Sequence, residues 1–571
     1  MKDTYCKNCI SLQVLVGLLS CLGAIANITT PVLAQVIADP SLGTAVNQND
    51  SIYQITGGTA VGGENLFHSF SRFDVPNGGV ADFLNNPGIA NIFSRVTGGT
   101  PSDIQGLIRA NGSANLFLMN PSGIIFGQNA SLDVGGSFVA TTAEAINFAD
   151  SQQFQAIASQ AAPILTISVP LGLQFGANPG KIQVQGSGHN LSYSETDSTI
   201  RADVLGLQVQ PQKTLALVGG DVILEGGNLR AESGRIELGS VASPGLVSLA
   251  QNDSGFALGY SDVQNFGNIL LSQKALADVS GESGGEIRVQ SGQISLRDGS
   301  AILSITQGSK LGGSFTINAK DSVEVIGESA DNRYASSFST EAQGNGSTGE
   351  MRINTGKLIL TDGAYIQNYS FAEGNGGNLT VEASDSVDIT GRGLYPSGLY
   401  TGTTSTGNAG NLTVSTGNLI VQNGATLTTN TYGEGDAGNL TVSTGNLIVQ
   451  NGATLTTNTY GEGDAGNLTI ETERFSVFNS LVSTSTFGEG NAGNLTVRAS
   501  DSIELSGELP DARGGVGAPG GLLAQVDLDS EGRGGNLTIE TQRLSISDGS
   551  KVQVATFGQG DAGELIIRAS E

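Results

Sequence analysis

Single aliphatic residues alternate with polar residues in short runs along most of the chain, and turn residues separate the runs. In the stretch that begins at Gly438, one such pair is Leu440 and Val442, and the next pair is Leu447 and Val449. Successive side chains of a β-strand point to opposite faces, so each pair predicts a short strand with one buried face. The turn signals STG, QNG and GEGDAG separate the strands, and the pattern predicts an all-β chain.

The pattern recurs with a constant period over the second half of the chain. Residues 410–437 and 438–465 are identical in sequence, and most units there are 28 residues long. Units open with glycine at positions 285, 313, 349, 377, 410, 438, 466, 493, 535 and 563. A period of this size indicates a repeat protein in which each unit contacts only its neighbours. We therefore predict a right-handed parallel β-helix (a β-solenoid) with three short strands in each coil. A duplicated unit would add one more coil to this β-helix.

A second type of unit alternates with the first. The units at Gly313, Gly377 and Gly493 shift their second apolar pair by one residue, and they are longer than their neighbours. Their extra residues include the stretch ELPDARGGVGAPGG. Because the interior of a coil has no room for these residues, we predict that they project as loops, where binding residues would lie.

Several motifs in the repeats match known chemistry, but their spacing favours a structural role. NLT matches a glycosylation sequon, yet it recurs at the coil period and predicts a ladder of stacked asparagines that satisfies turn backbone. GEGDAG is similar to Ca²⁺-binding glycine-rich repeats, which require tandem nonapeptides instead. The rows TLTTNT at 426–431 and 454–459 leave an ice-binding threonine face as a further alternative. Asp321, Asp385 and Asp501 recur at a fixed offset, as residues of a structural turn do.

Composition narrows the classes of partner and of chemistry. The 571 residues carry 26 Lys+Arg against 53 Asp+Glu, a net charge of −27, which argues against nucleic acid and anionic membranes as partners. The chain has no Trp and only two histidines, His68 and His189, both outside the repeats. Enzymes that cleave polysaccharides need clustered carboxylates. We predict no catalytic residue, no cofactor and no metal site, with a β-helical polysaccharide-active enzyme as the alternative.

The N-terminus has the features of a secretory signal peptide. Lys2 and Lys7 precede a short apolar run, and small residues in PVLA precede the predicted cleavage between Ala34 and Gln35. All three cysteines lie within residues 1–34, so the mature chain has none. No second apolar segment follows, and we predict no integral membrane span in the mature chain.

Residues 56–148 are richer in phenylalanine and contain the stretches ENLFHSF and FDVPNGG. In this region the chain resembles the secretion domain of filamentous haemagglutinin-type exoproteins, most closely the cyanobacterial members. The resemblance covers residues 39–150 and extends through LGLQFGANPGKIQV to roughly residue 240. We therefore predict a two-partner secretion domain at 35–150, irregular coils at 151–284, and repeats at 285–571 with an incomplete last coil.

Two short motifs carry the resemblance. The family's NPNGI motif is matched by Asn120-Pro121-Ser122-Gly123-Ile124, with Ser122 in place of the central asparagine. Its NPNL motif aligns with Asn86-Pro87-Gly88-Ile89, which keeps only the first two residues. The resemblance implies that both are β-turns important for folding and secretion.

The resemblance also implies a route and a role. The chain would pass through the periplasm, bind a partner outer-membrane β-barrel transporter with periplasmic docking domains, cross it unfolded and fold outside the cell. It would then be a secreted or cell-surface protein without enzymatic activity, an adhesin or surface-interaction protein with a cell-surface or carbohydrate receptor. A passive surface-layer filament is the remaining alternative.

Overall fold

The computed structural model describes residues 35–156, 165–195, 198–203, 205–253, 255–509 and 520–571. The predicted signal peptide, with Ala34 and the three cysteines, lies outside the described residues. So does most of the stretch ELPDARGGVGAPGG.

In the described residues the chain is all-β, with one 3₁₀ turn at Pro40–Leu42. The largest sheet, here called the first solenoid sheet, has 23 strands. Its strands are Val36–Ala38, Thr59–Val61, Asn65–Phe73, Asn91–Val96, Ser102–Ile104, Asn115–Met119, Ile124–Phe126, Phe138–Thr141, Ile182–Gln185, Thr214–Gly219, Val222–Glu225, Arg235–Ser240, Asn268–Ser272, Glu286–Arg297, Phe315–Ile326, Met351–Thr361, Leu379–Thr390, Leu412–Gln422, Leu440–Gln450, Leu468–Phe478, Leu495–Ser506, Leu537–Ser547 and Leu565–Ala569.

A 12-stranded parallel sheet, the second solenoid sheet, accompanies the first. Its strands are Leu207–Gln208, Asn228–Arg230, Leu276–Asp278, Ala301–Thr306, Ser337–Ala342, Tyr365–Ser370, Gly398–Thr403, Thr426–Thr428, Thr454–Thr456, Leu481–Ser483, Gly521–Val526 and Lys551–Thr556.

The smaller sheets all lie before residue 260. One five-stranded sheet consists of Thr44–Asn49, Ile52–Gly57, Val80–Phe83, Leu107–Ala110 and Ser131–Val134. A second, antiparallel, consists of Ala145–Phe148, Gln153–Gln155, Pro170–Phe175, Gly245–Asn252 and Gly255–Gly259. Ser192–Tyr193 and Thr199–Ile200 form a two-stranded hairpin.

The repeats stack in register, as the sequence period predicts. Leu440 pairs with Leu412 in the preceding coil and with Leu468 in the following one, all in parallel. All three side chains are buried in one continuous apolar core. Each coil therefore covers the inward face of its neighbour, and the duplicated unit of residues 438–465 adds one layer to an existing stack.

The prediction of three separate strands in each coil is wrong for the repeats. The first two predicted strands form one continuous strand, Leu440–Gln450, whose pairing passes through Thr444 and Asn446 on either side of the STG glycine. Val442 and Leu447 are five residues apart and would face opposite sides of a straight strand, yet both are buried. The STG segment is therefore a corner within a strand rather than a turn that ends one.

The second unit type contains a β-bulge at this corner. In the strand Leu495–Ser506, Ala499 pairs with Thr541 and Ser502 pairs with Arg543, so two residues oppose one. The extra residue shifts the second apolar pair by one position, as the sequence predicts. Asp501 lies in the bulge, and Asp321 and Asp385 occupy the equivalent bulges of their units.

The NLT asparagines form the predicted ladder. Asn439 donates its backbone N–H to Oδ1 of Asn411 at 2.9 Å, and its Nδ2 donates to the same oxygen at 3.1 Å. The backbone bond is repeated by Asn411, Asn467, Asn494 and Asn536, each onto the asparagine of the preceding coil. Each side chain thus satisfies a backbone donor that the turn would otherwise leave unpaired.

The aspartates of GEGDAG act in the same way. Asp436 accepts the backbone N–H of Asp464 at 2.9 Å, and Asp464 accepts that of Asn491 at 2.8 Å. Nowhere in the described ranges do three or more His, Cys, Asp or Glu residues come together as a metal ion would require. The carboxylates bond to backbone groups, so their periodic recurrence has a structural cause.

The ice-binding alternative for the TLTTNT rows is wrong. Thr429 and Thr431 are fully buried, and Thr426 and Thr428 are each 8% exposed. Thr429 donates its hydroxyl to the carbonyl of Gly438, the glycine that opens the next unit. These threonines are therefore buried within the solenoid and present no flat exposed face.

The phenylalanines of the N-terminal region form a second core beside the solenoid. Phe67 stacks on Phe93 at 5.1 Å and Phe93 on Phe117 at 4.9 Å between ring centroids, one ring in each successive coil. The antiparallel five-stranded sheet contributes Phe154 and Phe256 to this core. Leu565 and Ile567, in the strand Leu565–Ala569, are exposed.

Candidate secretion turn and tyrosine groove

Asn120 begins a β-turn that leads into a buried strand. The N–H of Gly123 donates to the carbonyl of Asn120 at 3.0 Å, and Pro121 occupies the second position, where its fixed φ suits the turn. Gly123 has a φ of 121°, a region that glycine reaches without strain. Ile124 then starts the strand Ile124–Phe126 with its side chain buried. We call residues 120–124 the secretion turn, after the role that the sequence resemblance implies for it.

The Asn120 side chain connects this turn to a neighbouring coil. Its Oδ1 accepts the N–H of Ser122 at 3.0 Å, and its Nδ2 donates to the carbonyl of Thr100 and to Oγ of Ser102, both at 3.0 Å. The residue has no solvent exposure. The bond to Ser102 is buried on both sides, where an unpaired polar group costs most, and the bonds to Thr100 and Ser122 are partly buried.

The Asn86 turn has the same backbone form and much weaker side-chain contacts. The N–H of Ile89 donates to the carbonyl of Asn86 at 3.0 Å, with Pro87 again at the second position. The Asn86 side chain is exposed, and its Oδ1 accepts only the N–H of Gly88, within its own turn. The two Asn-Pro turns thus differ in what the asparagine binds outside the turn.

Gln35, the residue after the predicted cleavage site, is the first residue that the structure describes. Its carbonyl accepts the N–H of Asp74 at 3.1 Å, and the next strand, Val36–Ala38, pairs antiparallel with Asn65–Phe73. A chain that begins at Gln35 would therefore be fixed to the first coil from its first residues.

A second candidate site is a groove on the second solenoid sheet that sequence reasoning missed. Its volume is about 470 Å³, within the range of small-molecule sites. Six of the eleven tyrosines line it: Tyr193, Tyr365, Tyr369, Tyr395, Tyr400 and Tyr432. We call it the tyrosine groove.

Two irregular segments bring tyrosines to this sheet. Tyr395 lies in the extra residues of the long unit that begins at Gly377, where we predicted a projecting loop, and Tyr193 comes from the hairpin. Tyr395 packs edge-to-face against Tyr193 at 6.4 Å and against Tyr365 at 5.8 Å between ring centroids. One end of the groove is therefore built by contacts between segments distant in sequence.

The groove also contains neutral polar groups that the scaffold holds in place. Gln367 donates from Nε2 to Oγ of Ser339 at 2.9 Å, and Oδ1 of Asn430 accepts the N–H of Asn458 at 2.8 Å. Burial raises the pKa of Tyr400, so its hydroxyl stays protonated in the physiological range. The groove thus presents aromatic rings together with uncharged amides and hydroxyls.

A sequence signal for this groove was available. In the stretch AYIQNYS, Tyr365, Gln367 and Tyr369 occupy alternate positions, so all three point to the face opposite the buried Ile366. Aromatic residues at outward positions of a strand are not needed for the solenoid core. That observation marks a candidate binding face, although it does not show which other segments reach it.

The two histidines take no part in either site. His68 and His189 are buried, and burial lowers the pKa of each to about 4. Both rings are therefore neutral at neutral pH, and His189 contacts the carbonyl of Gly299 at 2.7 Å. No helix in the described residues is long and apolar enough to cross a membrane.

Comparisons with known proteins find sequence matches to part of the chain. Residues 34–289 match the sequence profile of the TPS secretion domain. A 69-residue segment is 38% identical to the heme/hemopexin-binding protein of Haemophilus influenzae; it covers 12% of this chain and 7% of that protein.

Two solved structures are similar to the chain. The HMW1 secretion domain from Haemophilus influenzae matches with 17% identity and a TM-score of 0.49, over 74% of this chain and 96% of that one. The filamentous hemagglutinin secretion domain matches with 14% identity and a TM-score of 0.29, over 62% of this chain and 99% of that one.

Parallel coils and a separate phenylalanine core together define a β-solenoid with a distinct N-terminal region. Residues 34–289, less than half of the 571 residues, match a TPS secretion domain.

Proposed function

We propose that the chain is exported by a partner outer-membrane transporter and acts outside the cell as an adhesin. The observation that supports export is the TPS secretion domain at residues 34–289, since such a domain implies a partner transporter. Coil-by-coil folding suits passage of an unfolded chain, because each coil needs only its predecessor as a template.

The tyrosine groove supports a binding role. Most of its lining belongs to strands of the repeats, after residue 289, and so lies beyond the secretion domain. Aromatic residues exposed at a concave surface are typical of recognition sites. The solenoid thus carries a surface feature that neither its own core nor the secretion domain requires.

The arrangement of carboxylates favours binding over catalysis. The described lining of the groove contains no Asp or Glu, whereas glycoside hydrolysis uses a pair of them. Glu341, on an adjacent strand, is fully buried and accepts hydrogen bonds from Thr199 and Gln367. We therefore propose a non-enzymatic role.

Adhesion can be tested with beads coated with the exported full-length chain. We expect these beads to bind cells or extracellular matrix saturably, and the free protein to compete for the same sites. Beads coated with the chain after irreversible heat unfolding are the control. Binding no greater than that of the control beads would contradict the adhesin role.

A further inference from the structure

One column of exposed or half-buried side chains runs along the second solenoid sheet beside the groove. Tyr460 donates its backbone N–H to the carbonyl of Thr431, the residue before Tyr432, and the same bond recurs from coil to coil. The bonds place these residues in one column: Phe371, Thr404, Tyr432, Tyr460, Phe487, Asp527 and Phe557. Five of the seven positions are aromatic.

Consecutive aromatic residues in this column stack on each other. The rings of Tyr432 and Tyr460 are 4.8 Å apart with 5° between their planes, and those of Tyr460 and Phe487 are 4.9 Å apart with 9°. The three side chains remain exposed, with Tyr432 at 54%. One coil step thus equals one ring-stacking distance.

The stack is interrupted at Thr404. Its two column neighbours, Phe371 and Tyr432, are two coil steps apart, about 10 Å. Among the residues that the structure describes, Tyr432 stacks on Tyr460 and on no other ring, which leaves its second face toward Thr404. Phe371, Thr404 and Tyr432 all line the tyrosine groove. The groove therefore contains a slot that is one ring deep.

Further contacts hold this slot open. The ring of Tyr369 lies over Gly402, where a Cβ would overlap the ring. Tyr369 also packs on Phe371 at 4.8 Å between centroids. Thr401 donates its hydroxyl to the carbonyl of Gly410 at 2.6 Å. The walls are thus fixed before any ligand arrives, which lowers the entropy cost of binding.

The lining indicates what kind of ligand fits. Besides the rings, it consists of Gln367, Thr401, Thr404, Thr428 and Asn430, all uncharged. Thr401 is fully buried and bonded to the scaffold, and the other four carry groups that can donate and accept hydrogen bonds. A ligand that matches has an apolar ring face and several hydroxyl groups. A pyranose ring has both: its C–H face packs on an aromatic ring and its hydroxyls bind amides and hydroxyls.

Other ligands of aromatic sites fit less well. A nucleic acid is disfavoured by the net charge of −27. A quaternary ammonium group uses ring faces but cannot hydrogen-bond to the amides and threonines. A proline-rich peptide offers carbonyl acceptors but few donors, because proline lacks an N–H.

We propose that the tyrosine groove binds a neutral glycan, with one pyranose ring between Phe371 and Tyr432 above Thr404. This proposal rests on the proposed adhesive function and names the class of receptor that the adhesin recognises.

The test measures binding of the exported full-length chain to an array of neutral oligosaccharides of defined linkage, with affinities then obtained by calorimetry. Thr404→Tyr should abolish binding, because the new ring completes the stack and fills the slot. Tyr432→Ala should weaken binding about tenfold or more, as loss of a stacking ring does. Phe557→Ala, in the same column but away from the groove, is the matched control and should bind as the wild type does. Thermal unfolding checks that each variant is folded.

Unchanged glycan binding by a folded Thr404→Tyr chain would overturn the proposal. So would a wild-type chain that binds no neutral glycan on the array, or that binds a proline-rich peptide or choline in its place. Beads coated with Thr404→Tyr separate the two proposals: adhesion equal to wild type would refute the groove as the receptor site and leave the adhesive function intact. If the wild type binds the glycan but does not adhere to cells, the adhesive function is refuted and glycan binding by the groove stands.

Discussion

Replacing Asn120 by alanine is expected to lower the amount of exported chain about tenfold or more, because folding of the secretion turn is strongly destabilised. The substitution removes three hydrogen bonds and leaves the buried hydroxyl of Ser102, the exposed Thr100 and the half-buried Ser122 without that partner. At about 1–2 kcal/mol for the buried bond to Ser102 and about 0.5–1 kcal/mol for each of the other two, the turn loses roughly 2–4 kcal/mol.

Asn86→Ala is the matched control, since it changes the same residue in the same kind of Asn-Pro turn. It removes one bond at an exposed position, worth about 1 kcal/mol, and should reduce export only slightly. Pro121→Ala should lie between the two, because the turn loses its preset φ but keeps the asparagine contacts.

The measurement compares exported and periplasmic protein by immunoblot for the three variants, expressed with the partner transporter. Equal export of Asn120→Ala and Asn86→Ala would contradict a special role for the secretion turn.

Deleting one whole coil, residues 438–465, should leave the chain folded, whereas deleting residues 438–451 should not. The whole-coil deletion brings Leu468 onto Leu412, a pairing equivalent to the one that Leu440 makes now. The half-coil deletion removes the strand Leu440–Gln450 and leaves the strands on either side about 10 Å apart, twice the spacing of a ladder.

We expect the whole-coil deletion to shift the midpoint of thermal unfolding by only a few degrees, since neighbouring interfaces are preserved. The half-coil deletion should expose the repeats to limited proteolysis at low protease concentration. Similar resistance of the two deletion chains would contradict the coil assignment.

The solenoid could be predicted because its apolar residues recur in the sequence with a constant period. The same place in successive units is occupied by Leu412, Leu440 and Leu468. The repeat alone therefore predicts which residue of the next coil each one pairs with. The corner at STG was misread because the same small residues serve turns and bends. The ladder pairing of Thr444 and Asn446 shows that the strand continues, and the burial of both Val442 and Leu447, five residues apart, shows that it turns a corner there.

The two candidate sites differ in how close together their residues lie in the sequence. The secretion turn follows from five consecutive residues, although the bonds from Asn120 to Thr100 and Ser102 depend on how the preceding coil packs. The tyrosine groove combines Tyr193, Tyr395 and Tyr432, which no repeat period relates. The groove forms only where the hairpin with Tyr193 and the loop with Tyr395 pack on the sheet. The repeat pattern does not predict where these two segments pack.

The most direct test of the account is whether export needs the partner transporter. Cells that express the chain with and without the cognate outer-membrane transporter are compared for protein in the medium, on the surface and in the periplasm. We predict folded chain outside the cell only when the transporter is present, and retained or degraded chain in the periplasm when it is absent. Equal amounts of folded chain outside both kinds of cell would contradict two-partner secretion of this protein.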